Sequence, residues 1–279
     1  MKICCLGDIH YSRAKWTERD LDKLAENIRD LCRSVDAIVI VGDITSDGRL
    51  DLAHDVLIAI KSGPVIKVPK LVVPGNHDIY LTREEMEKGI DSLTKLERFN
   101  NLVDGSRFSR YIALMKRPYI VNSVGFVGSI GWYDYTFTPA WMNLPISAFR
   151  EKAYGRFVWL DKYLVKLPFS DEDFTQMLLD LLEKQIKEVY NRVNTMVAAL
   201  HHVPFRDLVI YRADPSWDYF STFMGSERFG ELLLKYSYKV KLVVYGHQHG
   251  EKVETGICRD VRGVKCCNCA SPTPIIIEL

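Results

Sequence analysis

The sequence contains no long hydrophobic run. No apolar stretch approaches the ~20 residues that a membrane-spanning helix needs. The apolar start of the chain turns polar at Gly7 and Asp8, and six residues are too few for the hydrophobic region of a secretory signal. We therefore expect no membrane segment and a cytoplasmic location.

The sequence also has no surplus of charge of one sign. There are 37 Lys and Arg residues against 36 Asp and Glu residues, which gives a formal net charge of +1. A surface that coats nucleic acid needs a clear positive excess. We therefore do not expect nucleic acid as a partner, although the net charge does not exclude a local basic patch.

The chain lacks the features that divide a sequence into parts. No repeat, low-complexity segment or Gly/Ser-rich linker interrupts its 279 residues, so we predict a single domain spanning 1–279. Cys4, Cys5 and Cys32 lie in apolar segments, where we expect buried, reduced thiols. Four more cysteines crowd between Cys258 and Cys269, where we expect small core residues with room for one disulfide.

Histidine is scarce, but its placement is not random. Six of the seven histidines fall inside five short motifs, and only His54 lies outside them. Four of the motifs come directly after short apolar runs that look like strand ends. In chain order the motifs are Asp8-Ile9-His10, Gly42-Asp43, Gly75-Asn76-His77-Asp78, His201-His202 and Gly246-His247-Gln248-His249.

The apolar pattern alternates between the periods of strands and helices. This rhythm is typical of βαβ units in a parallel sheet, so we predict an α/β fold. The predicted strands are 3–6, 37–41, 70–73, 119–121, 125–130, 195–200 and 241–245. The predicted helices are 17–33, 49–61, one from 82 towards 98, 171–194 and 226–236, and the tail from Glu251 is expected to close a second sheet. In parallel sheets ligands collect outside the carboxyl ends of the strands, where the motifs lie.

The motifs supply the donors that two neighbouring divalent metals need. Imidazole nitrogens and carboxylate or amide oxygens suit Mn, Fe or Zn, whereas calcium prefers an all-oxygen shell. Two ions ~3.5–4 Å apart can hold a hydroxide between them, and a short carboxylate such as Asp43 is the natural bridge. The seven proposed metal ligands are Asp8, His10, Asp43, Asn76, His201, His247 and His249.

The ordered motifs resemble those of the calcineurin-like metallophosphoesterases, in particular the small phosphodiesterases and phosphatases. The resemblance spans residues 8 to 249 and implies a two-sheet βαβ sandwich flanked by helices. It also implies that one metal takes Asp8, His10, Asp43 and His249. The second metal would take Asp43, Asn76, His201 and His247. His201 is preferred to His202 because it directly follows the strand.

The resemblance gives His77 and Asp78 catalytic roles. His77 would touch the phosphate and assist the leaving oxygen, because an alkoxide leaves poorly without a proton donor. Asp78 would hold the His77 imidazole in orientation and favour its charged form.

An aromatic-rich insertion at about 132–170 is the second unusual feature. Of the 38 residues from 132 to 169, 11 are aromatic. One interpretation is that these rings pack a small core of their own. A second is a cap whose rings stack a base or hold a hydrophobic substrate tail, and a third is a dimer contact.

Three functions follow as hypotheses. The first is a metal-dependent phosphohydrolase that cleaves a small phosphodiester or phosphomonoester by attack of a metal-bridging hydroxide, with a nucleotide among the candidate substrates. The second is a nuclease acting on single-stranded ends, which the absence of net positive charge disfavours. The third is a metal-binding scaffold without turnover. The oligomeric state is left open.

Overall fold

The computed structural model describes residues 1–61, 63–105, 110–250 and 253–279. Its thirteen described strands are β1 (Lys2–Leu6), β2 (Ala37–Val41), β3 (Lys70–Val73), β4 (Tyr111–Ala113), β5 (Tyr119–Val121), β6 (Val124–Ser129), β7 (Ala153–Tyr154), β8 (Phe157–Val158), β9 (Thr195–Leu200), β10 (Val240–Tyr245), β11 (Cys258–Val261), β12 (Val264–Asn268) and β13 (Ile275–Glu278).

The strands form two large sheets and one small one. The first sheet has the order β13-β1-β2-β3-β4, and only its β13–β1 pair is antiparallel. The second sheet has the order β11-β12-β10-β9-β6-β5, with the central strands β12, β10, β9 and β6 parallel. Strands β7 and β8 pair separately. The predicted α/β fold with two sheets is confirmed.

Nine described α-helices connect the strands. They are α1 (Glu18–Leu31), α2 (Leu50–Ile60), α3 (Arg83–Glu87), α4 (Ser92–Gly105), α5 (Ile146–Arg150), α6 (Asp161–Leu164), α7 (Asp171–Tyr190), α8 (Pro215–Ser221) and α9 (Glu227–Lys235). Short 3-10 turns span Gly63–Lys67, His77–Ile79, Arg206–Leu208 and Thr222–Met224. Among these helices, none is long and apolar enough to span a bilayer.

Helix α1 shows how the sequence sets these boundaries. Thr17 accepts a hydrogen bond from the backbone N–H of Asp20, and the Asp20 carboxylate accepts one from the backbone N–H of Thr17. This reciprocal capping box satisfies amides that the first helical turn leaves free. Leu24 and Ile28 then face the first sheet from one side of the helix.

Three apolar layers hold the fold together. The two sheets pack face to face through side chains such as Val39 and Leu71 from the first and Phe126 and Val197 from the second. Helices α1, α2 and α4 cover the outer face of the first sheet, while α7 and α9 cover that of the second. Because both sheets are covered on both faces, their parallel strands are almost entirely apolar.

Two predicted elements differ from the structure. The helix predicted from Thr82 towards Arg98 is two helices, because Gly89 adopts a φ of +69° after α3 and the Asp91 carboxylate accepts from the N–H of Thr94 at the start of α4. The tail closes both sheets, since β11 and β12 extend the second and β13 joins the first. Residues 251 and 252, where the tail prediction begins, lie outside the described residues.

The cysteines form two disulfides, between Cys4 and Cys32 and between Cys258 and Cys267. The prediction that Cys4 and Cys32 are reduced is therefore wrong: β1 and the end of α1 bring their Cα atoms to 6.0 Å, within bridging range. The second disulfide joins facing positions of β11 and β12. It agrees with the expectation that the last four cysteines have room for one disulfide. Disulfides are typical of proteins in oxidising compartments, so these two give no support to the predicted cytoplasmic location. That location stays a prediction.

The aromatic insertion packs into the apolar layer that the second sheet forms with helices α7 and α9. Trp132, Tyr133, Phe137 and Phe149 are buried in the same cluster as side chains of β9 and α7. These rings therefore lie in a core that they share with the second sheet, not in a small core of their own as the first interpretation had it. The single domain with an insertion stays a prediction.

Candidate metal centre

The five motifs meet at one edge of the two facing sheets. Each follows the carboxyl end of a parallel strand, β1, β2, β3, β9 or β10. The backbone turns sharply there: Asp8, His10 and Asp43 have a φ of 49° and His247 one of 67°. Left-handed backbone at non-glycine residues costs of order 1–3 kcal/mol each and clusters at functional sites.

The glycines of the motifs let the strand ends approach the carboxylates. A Cβ atom at Gly246 would lie 2.5 Å from Oδ2 of Asp8, and one at Gly75 would collide with the carboxylate of Asp43. Gly75 and Gly246 are therefore needed at these two positions, because the side chain of any larger residue would displace the carboxylates of Asp43 and Asp8.

A first group of donors consists of Asp8, His10 and His249. The Nε2 atoms of the two imidazoles are 3.0 Å apart. Oδ1 of Asp8 lies 3.4 Å from Nε2 of His249 and 3.8 Å from Nε2 of His10. Asp8 is buried, whereas the His249 side chain is 40% exposed, so this group opens towards solvent.

A second group consists of Asn76, His201 and His247, and all three residues are buried. Nε2 of His201 lies 3.1 Å from Oδ1 of Asn76 and 3.1 Å from Nδ1 of His247. Three donor atoms, from the segments that follow β3, β9 and β10, therefore lie close together.

Asp43 lies between the two groups. Its Oδ2 atom is 3.6 Å from Nε2 of His10 and 3.5 Å from Nε2 of His201. Its Oδ1 atom accepts a hydrogen bond from the backbone N–H of His77 at 2.9 Å, which holds the carboxylate in this orientation. One oxygen of a single carboxylate thus faces donors of both groups, as a bridging ligand requires.

The chemistry of these donors fits divalent cations. Burial raises the pKa of Asp8 to about 8 and raises that of Asp43 well above its usual range, because each loses water. Burial also lowers the pKa of His10 to about 3 and that of His201 well below its usual range, so both imidazoles are neutral with lone pairs available. Cations among these atoms would stabilise the carboxylates as anions and accept the imidazole lone pairs.

Hydrogen bonds from the surrounding backbone orient the donors. Nδ1 of His201 lies 2.8 Å from the carbonyl oxygen of Val41, which leaves Nε2 to face Asp43. Both oxygens of Asp8 lie 3.1 Å from the backbone nitrogen of His247. Such support is characteristic of metal ligands in proteins.

Asp161 supports the centre and was not predicted from the sequence. This fully buried acid accepts hydrogen bonds from Asn76 Nδ2 at 2.9 Å and Tyr80 OH at 2.8 Å on one oxygen. Its other oxygen accepts from Tyr133 OH and Trp159 Nε1, both at 2.9 Å. The one signal in the sequence is an acid that follows four apolar residues within the aromatic insertion.

The predicted pairing of His77 with Asp78 is wrong. Nδ1 of His77 lies 2.8 Å from the carbonyl oxygen of Ser46, which orients the imidazole instead. The buried Asp78 carboxylate accepts from the backbone N–H groups of Ile44, Thr45 and Gly75. Asp78 therefore ties together the loops that carry Asp43 and Asn76.

His202 stays outside both donor groups. Its Nδ1 atom lies 3.0 Å from the carbonyl oxygen of Ile130, and its ring packs against Trp132 and, at 4.2 Å between centroids, against His247. The preference for His201 agrees with this geometry. The remaining histidine, His54, lies on α2.

A cavity of about 920 Å³ opens beside the donors. The residues that line it include His10, Asp43, His77, His247 and His249. A small molecule in it could therefore contact His77 and the donor atoms at once.

Comparisons with known proteins agree with this geometry. A family model described as calcineurin-like phosphoesterase matches residues 1–251. No curated protein matches the chain.

Three solved structures resemble the fold. The phosphopantetheinyl hydrolase PptH from Mycobacterium tuberculosis has a TM-score of 0.69 and 15% identity, covering 97% of this chain and 90% of that one. The protein TT1561 of Thermus thermophilus has a TM-score of 0.53 and 10% identity, covering 98% and 90%. GAP50, the anchor in the inner membrane complex of Plasmodium, has a TM-score of 0.53 and 13% identity, covering 98% and 72%. At such identities the likeness shows the fold alone.

Proposed function

Since this chain belongs to the calcineurin-like phosphoesterase family, whose general activity is metal-dependent hydrolysis of phosphoesters, we propose that it is a binuclear phosphoesterase acting on a small phosphodiester or phosphomonoester. The observation that carries the proposal is the position of Asp43, whose Oδ2 atom faces imidazoles of both donor groups. A single-metal site would not need an acid between two groups.

In this proposal Asp8, His10, Asp43 and His249 hold one divalent ion, and Asp43, Asn76, His201 and His247 hold the other. The ions are Mn, Fe or Zn, because the mixed imidazole and carboxylate donors suit these metals. When bound, they would activate water as the nucleophile and neutralise charge on the phosphoryl oxygens.

His77 is the proposed proton donor. Its Nδ1 atom is engaged with the Ser46 carbonyl, so Nε2, at 3.9 Å from Oδ2 of Asp43, is left to face the cavity. In its imidazolium form His77 carries a proton on Nε2 that can pass to the oxygen of the departing alcohol, which leaves poorly as an alkoxide. Burial lowers the pKa of His77, and a phosphoester anion bound beside the ring would favour the charged form again. Asp78 contributes by fixing the loops, as its three backbone hydrogen bonds indicate.

A nuclease acting on single-stranded ends is less well supported. Lys15 is the single Lys or Arg among the described residues that line the cavity. Binding a strand requires several cations along the path of its phosphates.

The experiment that tests the proposal combines metal analysis with a panel of phosphoesters. Protein loaded with Mn²⁺ should bind two ions per chain and hydrolyse p-nitrophenyl phosphate or its bis-ester. Full loading without hydrolysis of any ester in the panel would favour the non-catalytic scaffold. Faster cleavage of a labelled single-stranded oligonucleotide than of every small ester would favour the nuclease.

A further inference from the structure

The cavity beside the metal centre continues into an apolar wall. One part of the wall comes from β8 and the residues after it, with Phe157, Trp159 and Leu160. The other comes from the segment after β9, with Trp217 and Phe220 of α8. His10, Asp43, His247 and His249 line the same cavity, and the ring centroid of Trp159 lies 5.7 Å from that of His247. A phosphoester bound at the metal centre would therefore place its alcohol part beside this wall.

The indole N–H groups of the wall are already engaged with the protein. Trp159 donates its Nε1–H to Asp161 at 2.9 Å, and Trp217 donates its Nε1–H to the carbonyl oxygen of Ile210 at 2.8 Å. The ring of Trp159 also stacks on Phe220 and Phe223, which fixes its plane. The two indole N–H groups are therefore not offered to a ligand. The Arg212 guanidinium carbon lies 3.3 Å from the centroid of the Trp217 ring and covers one face of it, so Trp217 offers a ligand only its remaining ring surface.

Two polar side chains along the wall, those of Ser221 and Gln248, are engaged in the same way. Ser221 donates to the carbonyl oxygen of Ile210 at 3.1 Å. Gln248 accepts from the N–H of Ile210 at 3.1 Å and donates to the carbonyl oxygen of Leu208 at 2.8 Å. Asp214 caps α8 by accepting from the N–H of Trp217, and Ser216 follows it on the same helix turn.

Large apolar side chains remain exposed on this wall. Phe157 is 49% exposed and Leu160 53% exposed, and both line the cavity. Covering them with an apolar ligand would remove that surface from water, which is favourable in proportion to the area covered. A nucleobase would instead bring edge donors and acceptors to a wall whose indole N–H groups, Ser221 and Gln248 are engaged, and unpaired polar edges weaken binding.

We propose that this wall binds the alcohol part of the substrate, and that the substrate is a phosphoester of an alcohol bearing an extended alkyl or acyl chain. This inference rests on the proposed function and names its substrate class. In the reaction water adds to phosphorus and the P–O bond to the alcohol breaks. That oxygen takes a proton, and the apolar alcohol is released together with the phosphate or phosphomonoester.

A chain-length series tests the proposal. Metal-loaded protein is assayed with primary alkyl phosphates from ethyl to decyl and with their methyl diesters, below their critical micelle concentrations, and with AMP for comparison. We expect kcat/KM to rise about two- to fourfold per methylene, because one buried methylene contributes ~0.8 kcal/mol. A flat series, or AMP exceeding decyl phosphate, would overturn the proposal.

Substitutions of wall residues test whether this wall causes the dependence of kcat/KM on chain length. The decyl-to-ethyl ratio of kcat/KM should fall at least tenfold in Trp217→Ala and Leu160→Ser. Leu181→Ser changes a leucine that is 40% exposed on α7 and does not line the cavity, so it should keep the wild-type ratio. An undiminished ratio in both wall variants would contradict the assignment of this wall.

Measurements of alkylphosphonate binding distinguish a failure of this proposal from a failure of the proposed function. If metal-loaded protein hydrolyses no ester, the proposed function fails, but calorimetry with alkylphosphonates still tests the wall. Decylphosphonate should bind at least tenfold more tightly than ethylphosphonate, and Trp217→Ala should remove the difference. Equal affinities would reject the apolar site.

Discussion

Asp161 accepts a hydrogen bond from the amide nitrogen of Asn76 at 2.9 Å, and this bond turns Oδ1 of Asn76 towards His201, 3.1 Å from Nε2. An asparagine amide can present either its oxygen or its nitrogen, and an acid behind it selects the oxygen for the centre. The same acid holds Tyr133 and Trp159 of the aromatic insertion. The insertion and the second donor group are therefore connected through one carboxylate.

We predict that Asp161→Asn weakens the second metal site. The substituted amide cannot accept on both sides, so the orientation of Asn76 is no longer fixed, and losses of ~10- to 100-fold in metal affinity are typical for such support. Metal titration should show one ion retained and the other weakened.

Asp171→Asn is the matched control. Asp171 also lies beside the insertion and accepts from Trp132, Tyr135 and Lys152, but it does not contact a donor of the centre in the described structure. Its loss should lower the melting temperature without changing metal affinity. Equal metal affinities in the two variants would show that Asp161 is merely structural.

Asp43→Asn and His249→Ala should differ in the number of ions lost. Asp43 faces both donor groups, so its replacement should reduce bound metal at both sites and lower kcat by more than ~100-fold, beyond the range for residues that only support a ligand. His249 belongs to one group, so His249→Ala should retain one ion. Mass-spectrometric metal counts check both, and a one-ion Asp43→Asn protein would argue against bridging.

His77→Ala should keep two metal ions and lose turnover. The loss should reach ~10²- to 10⁴-fold on an alkyl phosphoester, whose leaving oxygen needs a proton, and should be much smaller on a p-nitrophenyl ester. Comparing kcat for the two esters provides an internal control. Intact turnover of the alkyl ester would remove His77 from the chemistry.

Asp78→Asn should lower the free energy of unfolding. Asp78 accepts three backbone hydrogen bonds that an asparagine cannot all accept, and each buried amide left unpaired costs ~1–3 kcal/mol. Denaturant unfolding of the metal-free protein should therefore show a clear loss. A variant with wild-type stability and the kinetic defect of His77→Ala would restore the idea that Asp78 orients His77.

All seven donors proposed from the sequence come together in the structure, because the signal in the sequence is local. Asp8 and Asp43 lie two residues after apolar strands of the first sheet, and His201 directly follows an apolar strand of the second. The carboxyl ends of parallel strands gather at one edge of each sheet. The partner of His77 could not be found this way, because the Ser46 group that contacts it is a backbone carbonyl, which every residue carries. Asp161 lies 85 residues from Asn76, at the start of the four-residue helix α6, so no spacing links them.

Anomalous diffraction from crystals grown with Mn²⁺ tests the central claim most directly. Two peaks ~3.5–4 Å apart should flank Oδ2 of Asp43, one beside His10 and His249 and the other beside His201 and His247. A single peak at full occupancy, or two peaks that do not share Asp43, would contradict the account.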